Sequence, residues 1–201
     1  MHRSFLIFAG AFVALMAGAL FYAARMPLEQ QSPPPAAEAP AKPERVDYPQ
    51  FELAGLDGEP VAFSEFAGRH RLLNFWATWC APCRREIPLL KQFQAAQGED
   101  GILVIGIAVD FADAVAAYAE AAEFNYPVLI GQEDAMAVAE SSGVQFAAMP
   151  FTMIVSKDGL YLGAYLGELH QSHLDDIETI LARLDAGDIS VDSARGAFEL
   201  L

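Results

Sequence analysis

The stretch NFWATWCAPC, residues 74–83, contains the only two cysteines of the chain, Cys80 and Cys83. An apolar segment ends here and a helical pattern begins, so the sequence predicts that the pair lies at a strand-to-helix junction. A thiol at a helix N-terminus faces unpaired backbone N–H groups and the positive end of the helix dipole, and both favour the thiolate. A thiolate attacks disulfides, and a second thiol one turn away can resolve the mixed disulfide. The spacing therefore predicts a dithiol–disulfide redox centre.

The first 25 residues are predicted to enter a membrane. Residues 5–24 (FLIFAGAFVALMAGALFYAA) carry no charge and lie between Arg3 and Arg25. At ~1.5 Å of rise per residue they span roughly 30 Å, the thickness of a bilayer core. This length favours an uncleaved signal-anchor over residues 1–25, while a weak small-x-small site at 17–19 keeps a cleaved signal peptide open. In both cases we expect the rest of the chain to be exported, to a compartment where disulfides persist.

Residues 26–50 are predicted to form a spacer. They hold seven of the twelve prolines, and such a stretch has too little apolar periodicity to form a core. At ~3.1 Å per residue in polyproline II, the spacer would hold a folded domain several tens of ångströms from a membrane. The whole chain has 12 basic and 27 acidic residues and a net charge of −15, which argues against binding to nucleic acid.

A folded domain is predicted over residues 51–187, with residues 188–201 as a C-terminal tail. The continuous apolar run ILVIGIAV at 102–109 is typical of a central strand covered on both faces. The order of elements predicts an α/β fold with one mixed sheet and helices on both faces. The predicted strands are 51–53, 61–63, 72–76, 102–109, 126–130, 151–155 and 160–165, and the predicted helices are 80–97, 113–123, 135–140 and 173–184.

The segment WATWCAPC, residues 76–83, resembles the active-site sequence of thioredoxin-fold proteins. More narrowly, it is similar to that of the TlpA/ResA-like membrane-anchored thiol–disulfide oxidoreductases of bacteria. Pro88 lies five residues after the second cysteine, where thioredoxins carry a helix-kinking proline. Met149-Pro150 precedes a strand where the family has its cis-proline. Helix 113–123 and strand 126–130 match the inserted helix–strand unit of the TlpA-like branch, so the resemblance implies a thioredoxin-like fold with this insertion.

Cys80 is the predicted catalytic nucleophile because it is the cysteine closer to the helix start and its dipole. Cys83, one turn further on, is the predicted resolving thiol. Ala81 and Pro82 are predicted to tune the redox potential, since they set backbone rigidity and local charge between the thiols. A zinc site would need about four ligands, and the chain has no other cysteine. The expected redox centre is therefore the cysteine pair, without a metal or another cofactor.

Trp79, Met149 and Pro150 are predicted to contact the substrate. Trp79 is expected at the surface beside the nucleophile, where it offers an apolar contact, whereas Trp76 is expected in the core. By resemblance the Met149–Pro150 bond is cis, a rare geometry in folded chains, and lies opposite the dithiol. This placement would leave the Met149 backbone free to pair with an extended substrate strand and would keep a metal off the thiols. A trans proline that merely starts a strand is the alternative.

Glu86 is the third predicted catalytic residue. It lies three residues after Cys83, where the family that the chain resembles has an acid near its active site. A partly buried carboxylate there can exchange a proton with Cys83, whereas an ordinary solvated helix residue is the alternative. Asn74 departs from thioredoxin itself, which has a buried acid at this strand position. An amide cannot transfer a proton, so Glu86 or water is expected to carry it.

His170 and His173 form an H-x-x-H pattern with Asp175 and Asp176 nearby. A surface metal site is one interpretation, but without apolar shielding a solvated helix surface is favoured. His70 precedes a predicted strand and has no partner that the sequence identifies. No metal ligand is therefore assigned.

The resemblance implies a membrane-tethered reductase that acts on disulfides of exported proteins, including the C-x-x-C-H haem site of apocytochrome c. Cys80 would attack, form a mixed disulfide and be released by Cys83. Such a reductase needs a membrane electron donor of the DsbD/CcdA type. The domain is expected in the periplasm, or otherwise outside the cytoplasmic membrane, with the N-terminal helix as a single pass through the bacterial inner membrane.

Two alternative functions remain open at this point. One is a disulfide oxidase or isomerase of the same fold, for which a C-P-H-C type dipeptide would be expected in place of Ala81-Pro82. The other is a non-enzymatic module that holds a client through Trp79 and Met149. A peroxidase is disfavoured because the Pro-x-x-x-Thr-x-x-Cys pattern of peroxiredoxins is absent.

Overall fold

The computed structural model describes residues 48, 50–141 and 148–201. The predicted membrane segment 1–25 and almost all of the predicted spacer 26–50 lie outside these residues. No helix in the described ranges is both long enough and apolar enough to span a bilayer.

The described elements follow the predicted order, with ends shifted by one or two residues. The strands are β1 (Glu52–Gly55), β2 (Pro60–Ala62), β3 (Arg71–Trp76), β4 (Leu103–Val109), β5 (Val128–Gly131), β6 (Phe151–Val155) and β7 (Tyr161–Leu166). The α-helices are α1 (Ala81–Gln97), α2 (Ala112–Ala122), α3 (Glu133–Ser141), α4 (Gln171–Asp185) and α5 (Val191–Phe198), and a 3₁₀ helix covers Phe63–Phe66.

The strands form one mixed sheet in the order β2-β1-β5-β4-β3-β6-β7. β3, β4 and β5 are parallel to one another, while the outer strands on both sides pair antiparallel. Parallel neighbours need a crossover connection, and α1 and α2 supply the two that this sheet requires. The predicted α/β fold with a mixed sheet is confirmed, and α2 with β5 forms the predicted helix–strand unit.

Alternation along the central strands divides the core into two layers. Leu72 and Trp76 of β3 belong to one hydrophobic cluster, to which α1, α2, α4 and α5 contribute buried residues. Leu73 and Phe75 belong to the other, to which α3 and the 3₁₀ helix contribute. Helices therefore cover both faces of the sheet, as predicted.

Trp76 lies in the core, as predicted, because β4 has a glycine beside it. The indole is 1% exposed, and its ring packs 5.4 Å from those of Tyr118 and Phe124. A Cβ atom on Gly106 would lie 3.1 Å from Trp76 Nε1 and 3.3 Å from the Tyr126 ring. The absence of a side chain at this position gives the indole its space.

The segment 188–201, which the sequence predicts to be a tail, contains a helix. Ser190 begins α5, since its Oγ accepts a hydrogen bond from the Ser193 N–H at 3.2 Å. Phe198 is 2% exposed and covers Gly163 of β7, where a Cβ atom would lie 2.7 Å from the Phe198 Cβ. The packed domain therefore continues past residue 187.

The sequence contains a weak signal for this helix. A capping serine is followed by apolar Val191, Ala194 and Phe198 at helical spacing. Eight residues are too few to form a stable helix alone. The surface of β7 that stabilises this one lies far away in the sequence.

Candidate active site

Cys80 and Cys83 form a disulfide at the start of α1, with their Cα atoms 5.3 Å apart. Cys80 is the N-cap residue, and its Sγ accepts a hydrogen bond from the Cys83 N–H at 3.3 Å. The pair follows the end of β3, so it lies at the strand-to-helix junction that the sequence predicts. Cys80 is 5% exposed and Cys83 is 0% exposed. The more accessible residue of the two is the predicted nucleophile.

Ala81 and Pro82 occupy the first two positions of α1. A backbone N–H in the first turn of a helix has no intrahelical acceptor, so Pro82 interrupts no helical hydrogen bond. The positive end of the helix dipole lies at the same turn and favours negative charge on Cys80. The effect of these two residues on the redox potential stays a prediction.

Glu86 is buried inside the domain, so the alternative of a solvated helix residue is wrong. Glu86 is only 1% exposed. Oε1 accepts a hydrogen bond from Asn74 Nδ2 at 2.8 Å, and Oε2 accepts one from the Leu169 N–H at 2.6 Å. Asn74 Nδ2 also donates to Thr152 Oγ1 at 3.0 Å. The carboxyl group is thereby connected to β3, to β6 and to the loop before α4.

Burial raises the pKa of Glu86 to about 7, and the hydrogen bonds from Leu169 and Asn74 lower it only in part. A group with a pKa near neutrality can both take up and release a proton. Residues three apart lie on the same face of a helix, so Glu86 and Cys83 share one face of α1. This arrangement supports the predicted proton exchange between them.

The Met149–Pro150 peptide bond is cis, as the resemblance implies. The next residue, Phe151, begins β6 and pairs with Phe75 near the end of β3. Pro150 therefore lies at the sheet end from which the chain proceeds to Cys80. Met149 is half-buried and packs against the hydrophobic cluster that contains both cysteines.

Three large apolar residues are exposed at this same end of the sheet. Trp79 is 68% exposed, as predicted from its place beside Cys80. Phe111, two residues after the end of β4, is 62% exposed, and Leu166 at the end of β7 is 65% exposed. The sequence analysis did not single out Phe111 or Leu166, because an apolar residue at a strand end has the same pattern whether it is exposed or buried.

The sequence analysis also missed Asp110, which binds the segment before Cys80. Asp110 is 6% exposed. Its Oδ2 accepts hydrogen bonds from the Thr78 N–H at 2.9 Å and the Thr78 hydroxyl at 2.6 Å. The available signal was an acidic residue directly after an apolar central strand, at the carboxyl end where functional side chains gather in such sheets.

An ion pair connects α1 to the loop before α4. Arg85 Nε donates to both carboxylate oxygens of Glu168 at 3.1 Å, and Arg85 Nη2 donates to Oε2. These hydrogen bonds lower the pKa of Glu168, whose side chain is 22% exposed. Glu168 precedes Leu169, whose N–H binds Glu86. The negative charge of Glu168 adds to the effect of burial and raises the pKa of Glu86 further.

The three histidines that the structure describes form hydrogen bonds with other side chains or through the backbone. His173 Nδ1 accepts from the His170 N–H at 3.1 Å, and its Nε2 lies 3.3 Å from the Tyr165 hydroxyl. His70, for which the sequence identified no partner, has Nε2 3.1 Å from Asp185 Oδ1. Within the residues that the structure describes, no group of three or more His, Cys, Asp and Glu side chains is arranged to hold a metal ion.

The chain is similar in sequence and in fold to known proteins. A family model described as the AhpC/TSA family matches residues 45–160, more than half of the chain. Thiol-disulfide oxidoreductase ResA of Bacillus thuringiensis subsp. konkukian is 28% identical over 131 residues, which cover 65% of this chain and 73% of that protein. Thioredoxin-like protein YneN of Bacillus subtilis is 30% identical over 133 residues, covering 63% and 74% respectively. A crystal structure of a thiol:disulfide interchange protein of the thioredoxin family from Chlorobium tepidum TLS has a TM-score of 0.63 at 26% identity, covering 70% of this chain and 99% of that one.

Proposed function

The chain belongs to the AhpC/TSA family and is a thioredoxin-like thiol–disulfide oxidoreductase, and from that premise we propose that it reduces disulfides in exported proteins. The observation that carries the proposal is the Cys80–Cys83 pair at the start of α1, with the buried carboxyl group of Glu86 on the same helix face. Enzymes of this kind use the cysteine pair in place of a cofactor. The client to test first is the C-x-x-C-H haem-attachment site of an apocytochrome c.

The proposed reaction begins with the dithiol form of the enzyme. The Cys80 thiolate attacks one sulfur of the client disulfide, the client S–S bond breaks, and the other client sulfur leaves and takes up a proton. Cys83 then loses its proton and attacks Cys80 Sγ in the mixed disulfide. The client sulfur that was bonded to Cys80 leaves and takes up a proton, and the Cys80–Cys83 bond forms. Two electrons have passed to the client, and the enzyme is left in the oxidised form that the structure contains.

Glu86 serves the second step of this proposal. Cys83 is 0% exposed, so its proton needs an internal acceptor or a water molecule. Glu86 follows it by three residues and has a pKa of about 7, so it is partly ionised near neutral pH and can take the proton. Asn74, which donates a hydrogen bond to the Glu86 carboxyl group, cannot itself accept the Cys83 proton.

Trp79, Met149 and Pro150 are the proposed client contacts. Their support is the exposed indole beside Cys80 and the position of the Met149–Pro150 bond at the same end of the sheet. Phe111 and Leu166 extend this apolar surface. Apolar exposure around a reactive sulfur suits a client that presents an unfolded or extended segment.

We also propose that residues 1–25 anchor the domain in a bacterial inner membrane and that residues 26–50 hold it on the outer side. The support is the uncharged segment at 5–24 and the proline content that follows it. A membrane donor of the DsbD/CcdA type would return the oxidised pair to the dithiol by the same exchange chemistry. The net charge of −15 argues against nucleic acid as a further partner.

A Cys83→Ser variant tests the proposal because it stops the reaction at the mixed disulfide. Expressed as the full chain in bacteria, it should accumulate disulfide-linked adducts of exported proteins on Cys80, which mass spectrometry would identify. The Cys80→Ser/Cys83→Ser double variant is the matched control and should trap nothing. Adducts with C-x-x-C-H proteins support the cytochrome role, and an adduct pattern equal to that of the control contradicts the proposal.

The midpoint potential of the Cys80–Cys83 couple tests the direction of the reaction. A value near that of thioredoxin, about −270 mV, supports a reductase, whereas one near that of DsbA, about −120 mV, indicates the oxidase alternative. A variant that lacks Cys80 and Cys83 but still replaces the wild-type protein in cells would support the client-holding module instead.

A further inference from the structure

Asp110 is a buried carboxylate for which the proposed reaction provides no role. It directly follows β4 and is 6% exposed. Both of its oxygens accept hydrogen bonds: Oδ2 from the backbone N–H and the hydroxyl of Thr78, and Oδ1 from the Phe111 N–H at 2.8 Å. Among the described residues no cationic side chain forms an ion pair with it.

These three donors stabilise the buried charge. A carboxylate taken out of water is costly unless hydrogen bonds replace those it has lost, and bonds to an ionised acceptor are stronger than neutral ones. Two of the three come from Thr78, one from its backbone and one from its side chain. Both the position and the orientation of Thr78 are therefore restrained.

Thr78 lies two residues before Cys80, within a tight turn. The Cys80 N–H donates to the Ala77 carbonyl oxygen at 3.1 Å. Ala77 is 0% exposed and follows β3 directly. The turn is thus fixed at two points: Ala77 packs in the core, and Thr78 is bound by Asp110. Cys80 follows Thr78 by two residues.

The restraint matters most in the reduced enzyme. In the oxidised form the bond to Cys83 holds Cys80 Sγ in place. Once that bond is broken, the direction of the sulfur depends on the turn and on the helix start. Thiol–disulfide exchange aligns the attacking, central and leaving sulfurs near one line, and small displacements of reacting atoms slow such reactions strongly.

We propose that Asp110 is a positioning residue for the attack by Cys80, and that it acts through Thr78. By holding the turn, it directs Cys80 Sγ toward the client disulfide when the enzyme is a dithiol. The inference rests on the proposed function, because attack on a disulfide is the step affected, but it does not depend on the identity of the client.

If the Asp110–Thr78 hydrogen bonds only stabilise the fold, a different result is expected. Loss of the Thr78 hydroxyl would then lower the free energy of unfolding and leave the rate constant of the folded enzyme unchanged. The informative quantity is the limiting rate constant at high pH, where Cys80 is fully ionised. At that limit the thiolate fraction no longer matters, and a change in the pKa of Cys80 acts only through its nucleophilicity, by roughly half a logarithmic unit of rate for each pKa unit.

The test compares Thr78→Val, which removes the hydroxyl and keeps the branched shape, with Thr78→Ser, which keeps the hydroxyl. Thr179→Val is the matched control, because it removes an exposed hydroxyl on α4 that donates to the Asp175 carbonyl oxygen. The reduced full-length protein in detergent is mixed with a small aromatic disulfide over a range of pH. We expect the limiting rate constant to fall on the order of tenfold in Thr78→Val and to recover to within about twofold of wild type in Thr78→Ser. It should stay at the wild-type value in Thr179→Val.

An unchanged limiting rate constant in Thr78→Val, together with a lower free energy of unfolding, would overturn the inference. If that variant does not fold, Asp110→Leu replaces it, since a leucine side chain of similar size accepts no hydrogen bond from Thr78, and the same fall is expected. The small disulfide needs no client surface. If the wild-type enzyme reacts with it while the Cys83→Ser variant traps no exported protein, the proposed function is contradicted and this inference still stands.

Discussion

Glu86 acquires its proton affinity from the residues that enclose it. A carboxyl group in water is ionised near neutrality, but burial disfavours the charged form. Asn74 and Leu169 donate hydrogen bonds that favour the charge, and the balance leaves the pKa at about 7. Thr152 extends this network to β6. A proton acceptor with this pKa is suited to the deprotonation of a neighbouring thiol.

We expect Glu86→Gln to slow the resolution of the mixed disulfide on the order of 10²-fold. Glutamine cannot take the Cys83 proton, and without the carboxylate charge the pKa of Cys83 should fall. Rapid-quench kinetics measure the first effect, and alkylation of Cys83 against pH in a Cys80→Ser background measures the second. Glu178→Gln, at an exposed carboxylate on α4, is the control and should change neither. A thiol titration and a resolution rate equal to wild type would show that Glu86 has no part in the proton transfer.

At the scale of elements, α5 packs against the edge strand β7. Arg195 Nε donates to the Tyr161 carbonyl oxygen of the edge strand β7 at 3.0 Å. Phe198 fills the space over Gly163. The Arg195 bond gives one carbonyl group of this edge strand a partner, and Phe198 adds to the core on one face of β7.

We expect Phe198→Ala to lower the free energy of unfolding by about 3–5 kcal/mol, because it opens a cavity between α5 and β7. Chemical denaturation of the oxidised protein measures this change. Leu200→Ala is the control, since Leu200 is 88% exposed, and it should change the free energy by no more than about 0.5 kcal/mol. Equal effects from the two substitutions would mean that α5 does not pack on β7 in solution.

At the scale of the whole domain, the candidate site gathers at one end of the sheet. The carboxyl ends of β3, β4 and β7 meet the start of β6 there. The chain after β3 carries the cysteines, the chain after β4 carries Asp110, and the chain before β6 carries Met149 and Pro150. The parallel strands β3 and β4 end side by side, and the antiparallel strand β6 begins beside the end of β3, which explains how residues from these three distant segments meet.

The stability of the oxidised domain should fall as pH rises from about 4.5 to about 7. The pKa of Glu86 is about 7 in the folded protein against an ordinary 4.5. Between these values the folded state binds more protons than the unfolded chain, so the free energy of unfolding decreases with pH. The contribution of this one group is on the order of 3 kcal/mol, fully present below pH 4.5 and lost above pH 7.

Glu86→Gln isolates this contribution from those of the other titrating groups. Denaturation of wild type and variant at pH 4.5 and pH 8 gives the difference in unfolding free energy at each pH. Relative to wild type, the free energy of unfolding of the glutamine variant should be higher at pH 8 than at pH 4.5. A difference that does not depend on pH would contradict the raised pKa of Glu86.

The sequence by itself determined the order of strands and helices as far as α4, the place of Cys80 and Cys83 at a helix start, and the exposure of Trp79. These depend on hydrophobic period and on neighbours within a few residues, which a linear pattern contains. The tertiary structure alone decided the burial of Glu86 and the hydrogen bonds of Asp110. The Glu86–Leu169 hydrogen bond joins residues 83 positions apart and the Asp110–Thr78 bonds join residues 32 apart. Such contacts exist only after the sheet has brought its strand ends together, because burial and partner choice depend on three-dimensional packing.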